Sequence, residues 1–312
     1  MQHNMYHGTG GHRITLHQSG AENPGVMETG MTGDRGRHKV SDTAALVMLW
    51  ADEYYQGDPL VSAYLRNLDL SSGKGLLDCY NRICPWYSEV IVNRKHFIRN
   101  TVRELVERDP GRVTIVNLGA GFSPLALELG HLLSPRCRFI EIDQTAMGHK
   151  HTLYTHLVPD RCGFISCIEG DITDISSLED ALDGVQASHL VVVMEGLTYY
   201  IMRLAMEQVL TTLSGIAAKQ SIVFEHLKPC RLITEERRGI PYRIFSHVRD
   251  YTAMDRMTTY TKDEIQAMLP PDFACDYYDM SEMERMRTGL GAFFPTPGSG
   301  WLSCAVAMRR QE

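Results

Sequence analysis

Residues Val113 to Pro124, VTIVNLGAGFSP, constrain this chain more than any other stretch. Five apolar or β-branched residues (Val113, Thr114, Ile115, Val116, Leu118) run into Gly119-Ala120-Gly121, and Ser123-Pro124 open an apolar helical segment. A second apolar run, Arg138 to Asp143, ends on an acid roughly 20 residues past the turn. Strand, glycine turn, helix and acid-terminated strand form a unit suited to an adenosine-containing cofactor. Gly119 and Gly121 let the backbone approach a ligand closely, and Asp143 can accept hydrogen bonds from two ribose hydroxyls. Where a dinucleotide-binding turn has its third glycine, this chain has Pro124. Proline suits a helix start, here with Ser123 as cap, but not the close packing of a pyrophosphate site. An NAD-linked oxidoreductase therefore fits less well.

Downstream, helices over 144–157, 177–182 and 205–216 alternate with strands over 163–168, 189–194 and 221–224. That alternation predicts a parallel, doubly wound sheet. Residues 228–258, basic, aromatic and Met-rich, break the rhythm and read as a lid insertion over the sheet. A helix over 261–269 follows, then two strands, 273–278 and 301–308, joined by a long Gly/Pro loop. The predicted fold is α/β: a Rossmann-like, doubly wound, seven-stranded sheet with a C-terminal antiparallel hairpin and an N-terminal helical segment.

Residues 1–39 are rich in glycine and lack an apolar period, which predicts a disordered tail. Their histidines (His3, His7, His12, His17, His38) have no metal-site spacing. Order is expected from Val40, with Ser41 or Asp42 capping a helix and Gly57-Asp58-Pro59 turning into another. A loop at 71–75 and a long amphipathic helix over 88–106 complete the N-terminal segment. Gly73-Lys74 lacks both the preceding strand and the frame of a phosphate loop.

Composition excludes several partner classes. The formal charge of -7 gives no general field for nucleic acid or anionic lipid, and no apolar run approaches a membrane span. The N-terminus lacks a basic-then-apolar export pattern, so a cytoplasmic protein is expected. The eight cysteines are scattered, and the two C-x4-C pairs, Cys79/Cys84 and Cys162/Cys167, lie far apart in the chain. Reduced thiols and no metal site are expected.

Ligands of an open α/β sheet bind beyond the carboxyl ends of the strands. There the sequence places Asp171, suited to an adenine amino group, with Ile172 against one ring face, and then Glu195-Gly196-Leu197. Taken singly, Asp171 could only cap a short helix and Glu195 could be a solvated loop carboxylate. The ordered set, one informative residue type per strand end, makes the stronger case.

The same residues resemble the leucine carboxyl methyltransferase family, including the polyketide-associated bacterial O-methyltransferases of secondary metabolism. VSDTAALVMLWADEYYQGDPL resembles its opening segment, VNRKHFIRNTV its arginine-bearing helix, IVNLGAGFSPLALEL and FIEIDQ its cofactor motif, and GDITD and VMEGLTYYI its later strand ends. The resemblance covers residues 40–309 and implies a class I methyltransferase domain with S-adenosyl-L-methionine as cofactor. It implies that Arg94 pairs with the cofactor's carboxylate while Gly119, Ala120 and Gly121 pass beneath it. Asp143 and Gln144 would then hold the ribose side, Asp171 and Ile172 the adenine, and Glu195 the amino group and substrate. There are departures: an N-terminal lysine of the family's phosphatase-directed members is matched by apolar residues around Met48, and Asn117 stands where many methyltransferases have an acid.

Methyl transfer from a sulfonium needs alignment and desolvation more than acid–base chemistry. A carboxylate acceptor needs no base, whereas a hydroxyl profits from one. Tyr199, Tyr200, Glu225 and His226 follow strand ends and are candidate acceptor-side groups, with Glu195, Tyr199 and His226 as catalytic candidates. Arg243, Arg249 and Arg256 could recognise an acidic substrate or form a solvated basic face, and Phe245, Tyr251 and Met254 suit a lid over a small organic molecule. The expected partner is thus a small-molecule acceptor. Carboxyl methylation of a protein C-terminus, and a nucleotide-binding regulatory protein without turnover, are the alternatives.

Overall fold

The computed structural model describes residues 37–252 and 257–310, with only the backbone of 248–252. Its N-terminal layer begins two residues before the expected Val40 boundary, where β1 (His38–Lys39) pairs in parallel with β2 (Leu68–Asp69). Between them lie α1 (Asp42–Trp50), α2 (Asp52–Gln56) and α3 (Pro59–Leu65). Asp58 caps α3 by accepting from the N–H groups of Leu60 and Val61, with Pro59 at the first helical position. Ser41 precedes α1 but makes no side-chain cap bond. α4 (Lys74–Ile83) and α5 (Tyr87–Glu107) complete the layer.

The sheet then follows in order. β3 (Val113–Leu118) leads to α6 (Leu125–Glu128), β4 (Cys137–Asp143) to α7 (Met147–Leu157), and β5 (Ile165–Glu169) to α8 (Ile175–Leu182). β6 (His189–Met194) leads to α9 (Arg203–Ser214), and β7 (Lys219–Leu227) to α10 (Glu235–Thr252) and α11 (Lys262–Met268). β8 (Phe273–Asp279), α12 (Met280–Thr288) and β9 (Leu302–Arg309) close the chain. The spatial order is β5-β4-β3-β6-β7-β9-β8; β3 to β7 are parallel to one another, and β9 runs antiparallel between β7 and β8. This is the predicted seven-stranded doubly wound sheet with a C-terminal antiparallel pair. The order reverses at β3, so the crevice beyond its carboxyl end is the switch point where such sheets bind ligands.

Two apolar layers sandwich the sheet. Val113, Ile115, Val191, Val193 and Val223 face the layer of α1, α4 and α5, while Val116, Leu118, Val192, Met194, Ile222 and Phe224 face that of α8, α9 and α11. Period-two alternation thus assigns each strand residue to one face, and the double coverage explains why β3 and β6 read as unbroken apolar runs.

Several elements differ from the sequence expectation. α4 starts inside the expected 71–75 loop, directly after Gly73, which sits where a Cβ would meet the Leu46 backbone at 2.6 Å. α12 occupies the stretch read as a Gly/Pro loop, nucleated by a capping box between Asp279 and Glu282 and packed on α5. The helix after the glycine turn is a single turn with Pro124 in the N-cap position and no side-chain cap bond; the Ser123 hydroxyl is buried and does not cap it. The 228–258 insertion is mainly α10, which contains Pro241.

Candidate active site

Beyond β3, a cavity of about 590 Å³ opens between the glycine turn, α5 and the N-terminal residues His38 to Met48. Arg94, Gly119, Ala120, Gly121, Asp143, Glu195, Tyr199 and Tyr200 all line it. Gly119 (φ 64°) and Gly121 (φ 42°) lie in the left-handed region, where side chains are strained. A Cβ at Gly119 would also stand 2.7 Å from Leu197 Cδ1. The Gly121 N–H donates to Asp143 Oδ2 at 2.9 Å, and the Thr145 N–H to Oδ1 at 3.3 Å. The turn and the acid are therefore one rigid unit. Beneath it, Lys150 is ion-paired to Glu141 at 2.8 Å and reaches the Ala120 carbonyl at 3.4 Å. Asn117 donates to Glu141 at 3.4 Å, so the acid expected at the strand end is supplied one strand over.

A second cavity of about 280 Å³ shares Gly119, Asp143 and Tyr200 with the first, and adds Gln144, Asp171, Ile172, Leu197 and Ile201. Asp171 Oδ1 accepts from the Thr173 N–H and hydroxyl at 2.8 and 2.7 Å, so it also caps its turn. Those bonds hold its carboxyl below the usual range. Cofactor candidates from four strand ends and α5 are thus gathered along one cleft.

The floor of the first cavity is a buried charge network. Glu195 meets Arg94 at 3.2 Å, Lys95 at 3.0 Å and Arg99 at 2.5 Å, while Arg99 also holds Glu128 at 2.6 Å. Arg94 also pairs with Glu225 at 2.9 Å, and the Gly196 N–H donates to Glu225 at 2.6 Å. Burial would push the Glu195 carboxyl up, but Arg99, Lys95 and Arg94 outweigh it and hold it well below the carboxylate range. Glu195 is therefore a buried, ionised group, not a solvated loop carboxylate and not a proton acceptor. Burial pushes Glu225 up to about 7, Arg94 offsetting this and Glu195 adding to it. Lys95 is pushed down to about 8 by burial, partly offset by Glu195.

On the acceptor side, Tyr199 and Tyr200 line the cavity, and burial raises both phenols, Tyr200 to about 12. Glu225 lies behind Arg94 and Gly196 and is outside the lining. His226 is a correction. Next to Glu225 on β7, its side chain points to the opposite face, where it is buried and pushed down to about 4. It does not line the cavity. Phe245 of α10 lies 6.1 Å from the Tyr199 ring, and an apolar cavity of about 220 Å³ lies under α10 against Phe245, Met257 and Trp301. Arg243 is exposed and donates to the Gly239 carbonyl of its own helix, a solvated face. Met254, Arg256 and the side chains of Arg249 and Tyr251 lie outside the described residues.

Sequence reasoning missed Lys95, Arg99 and Tyr55. The usable signal was charge in an apolar context, since Asn93, Arg94 and Lys95 interrupt a run that continues through Phe97 and Ile98. Among the described residues no helix is long and apolar enough to cross a membrane, and no group of three His, Cys, Asp or Glu could hold a metal. All eight cysteines are free thiols.

Comparison with known proteins bears on this geometry. The sequence profile described as leucine carboxyl methyltransferase matches residues 39–214. No curated protein matches the chain. Among solved structures, a Thermobifida fusca YX protein carrying a provisional methyltransferase name is 13% identical, with 89% of this chain and 97% of that chain covered and a TM-score of 0.54. The CurJ carbon methyltransferase (13% identity, 86% and 68% covered, TM-score 0.49) is more distant. So is magnesium protoporphyrin IX methyltransferase from Synechocystis PCC 6803 (12% identity, 76% and 92% covered, TM-score 0.42). The fold likeness rests on the first of these. The matched profile spans more than half of the chain, including α5, the glycine turn and the ends of β4 to β6. The chain belongs to the leucine carboxyl methyltransferase family and is an S-adenosylmethionine-dependent methyltransferase.

Proposed function

We propose that the chain is an O-methyltransferase that methylates a carboxylate oxygen of a small organic acceptor. The observation that carries this reading is the single cleft in which Arg94, the Gly119–Gly121 turn, Asp143 and Glu195 meet, continued by the cavity of Asp171 and Ile172. The donor set fits the cofactor. Arg94 offers a cation to its carboxylate, ionised Glu195 an anion to its ammonium, Asp143 and Gln144 polar groups to the ribose, and Asp171 with Ile172 an acceptor and an apolar face to adenine. When bound, S-adenosylmethionine supplies an already activated methyl group.

What remains for the protein is alignment and exclusion of water. The N-terminal residues Ser41, Thr43, Val47 and Met48 and the ring of Tyr55 roof the cavity, and Tyr199 and Tyr200 close its acceptor side. Their raised phenols stay protonated at neutral pH, so they donate hydrogen bonds rather than take protons. Glu195 is locked in ion pairs and His226 lies on the other face of the sheet. This arrangement suits an acceptor that arrives as an anion, a carboxylate, better than a hydroxyl that must lose a proton.

Equilibrium titration with S-adenosylhomocysteine tests the cofactor site. Asp143→Ala removes a charged acceptor and the anchor of the turn, and should weaken binding by about 100-fold. Gly119→Val should abolish binding, through positive φ and the Leu197 contact. Unaltered affinity in both variants would overturn the assignment. Release of S-adenosylhomocysteine over carboxylate, phenol and C-terminal peptide panels then tests the acceptor class, and turnover confined to phenols or peptides would refute it.

A further inference from the structure

We infer that Lys95 is the second cation of the carboxylate-binding corner, so that Arg94 and Lys95 together hold the amino-acid carboxylate of the cofactor. This rests on the cofactor site proposed above and adds a residue to it. Arg94 and Lys95 are neighbours on α5, both line the cavity, and both are only 2% exposed. Their long side chains converge on one atom, Glu195 Oε1, at 3.2 and 3.0 Å.

Hydrogen-bond accounting separates Lys95 from a purely structural lysine. An ammonium carries three donors, and a buried donor without an acceptor is costly. Among the described residues, Lys95 Nζ has one oxygen acceptor, Glu195 Oε1, and a second approach over the Tyr55 ring at 5.4 Å from its centroid. Arg94 Nε, in the same corner, is buried with no acceptor. Two adjacent cations thus have unused donor capacity where the cavity meets α5.

Charge accounting points the same way. Arg94, Lys95 and Arg99 face Glu128, Glu195 and Glu225, so the cluster is balanced as it stands. A zwitterionic amino-acid group adds no net charge to that balance, its carboxylate meeting Arg94 and Lys95 and its ammonium meeting Glu195. A purely anionic or purely cationic ligand end would leave one sign uncompensated in a buried site. Removing Lys95 still leaves Glu195 paired with Arg94 and Arg99, so the network does not need it for its own balance of contacts.

The test compares two probes on the full chain. S-adenosylhomocysteine carries the amino-acid end; 5′-methylthioadenosine has the same nucleoside and a thioether but lacks it. Wild type should bind the former more tightly. Lys95→Met should lose at least about tenfold in affinity for S-adenosylhomocysteine, the worth of one charged hydrogen bond, and keep its affinity for methylthioadenosine. Lys95→Arg should recover part of the loss, and Lys95→Gln serves where the methionine variant does not fold. Equal losses for both probes, or no loss for either, would refute the role of Lys95. Equal wild-type affinity for the two probes would refute carboxylate recognition while leaving the nucleoside site standing. Wild type that binds neither would overturn the cofactor site itself.

Discussion

Glu195 illustrates how much one buried carboxylate can carry, since it is the common partner of Arg94, Lys95 and Arg99. Glu195→Gln leaves these cations short of one negative charge in a dry environment. Unfolding in urea should show a loss of about 3–5 kcal/mol, the cost of breaking a buried ion pair from one side. His226 makes a different prediction. Its ring is pushed down to about 4 by burial, against about 6.5 in an unfolded chain. The unfolded state therefore binds the proton more readily between those values. The contribution of neutral His226 is full above pH 6.5 and is lost as pH falls toward 4, on the order of 3 kcal/mol in total. Urea midpoints measured across that window should fall less steeply in His226→Gln than in wild type. Parallel slopes would remove His226 as the source.

At the scale of elements, β7 and α12 show two ways in which local sequence reaches the site. Strand alternation puts Glu225 on the α5 face, beside Arg94, and His226 on the α11 face. Adjacent residues that look equally eligible at a strand end are separated by the full thickness of the sheet. The register of β7 against β6, with Phe224 opposite Met194, fixes which one turns toward the cleft. α12 acts indirectly. It packs on α5, and Arg287 binds Asn93 at 2.6 Å and pairs with Glu89, bracing the helix that bears Arg94. Asp279→Ala removes its cap, where the carboxylate accepts from the Ser281 and Glu282 N–H groups. The expected cost is about 1–2 kcal/mol in denaturant unfolding with little change in S-adenosylhomocysteine affinity. A large loss of affinity instead would mean that α12 sets the position of Arg94.

For the whole molecule, the cleft joins parts far apart in sequence: the N-terminal residues 38–48, α5, and the ends of β3, β4 and β6. A ligand there binds only the folded chain, so it should stabilise all of it. At a hundredfold excess over its Kd, S-adenosylhomocysteine should add about 2.7 kcal/mol and raise the thermal midpoint by about 5 °C or more. The midpoint of Asp143→Ala should rise by only about 1 °C at the same concentration, and an equal shift in that variant would place the ligand elsewhere.

The sequence by itself determined the sheet and its switch point, because strand period, glycine punctuation and helix alternation are local signals that agree with one another. It also marked Gly119, Gly121, Asp143, Asp171 and Glu195, whose residue types stand at strand ends, and Arg94 through the family resemblance. It did not reveal α12, since a short helix with a weak apolar face looks like loop when its neighbour α5 is unseen. Nor did it separate Glu225 from His226, or mark Lys95. Which face a side chain takes depends on register, and which charges become buried together depends on contacts between residues a hundred positions apart, as Lys95 and Glu195 are. Those two facts are set only when the chain closes on itself, and only the tertiary structure decided them.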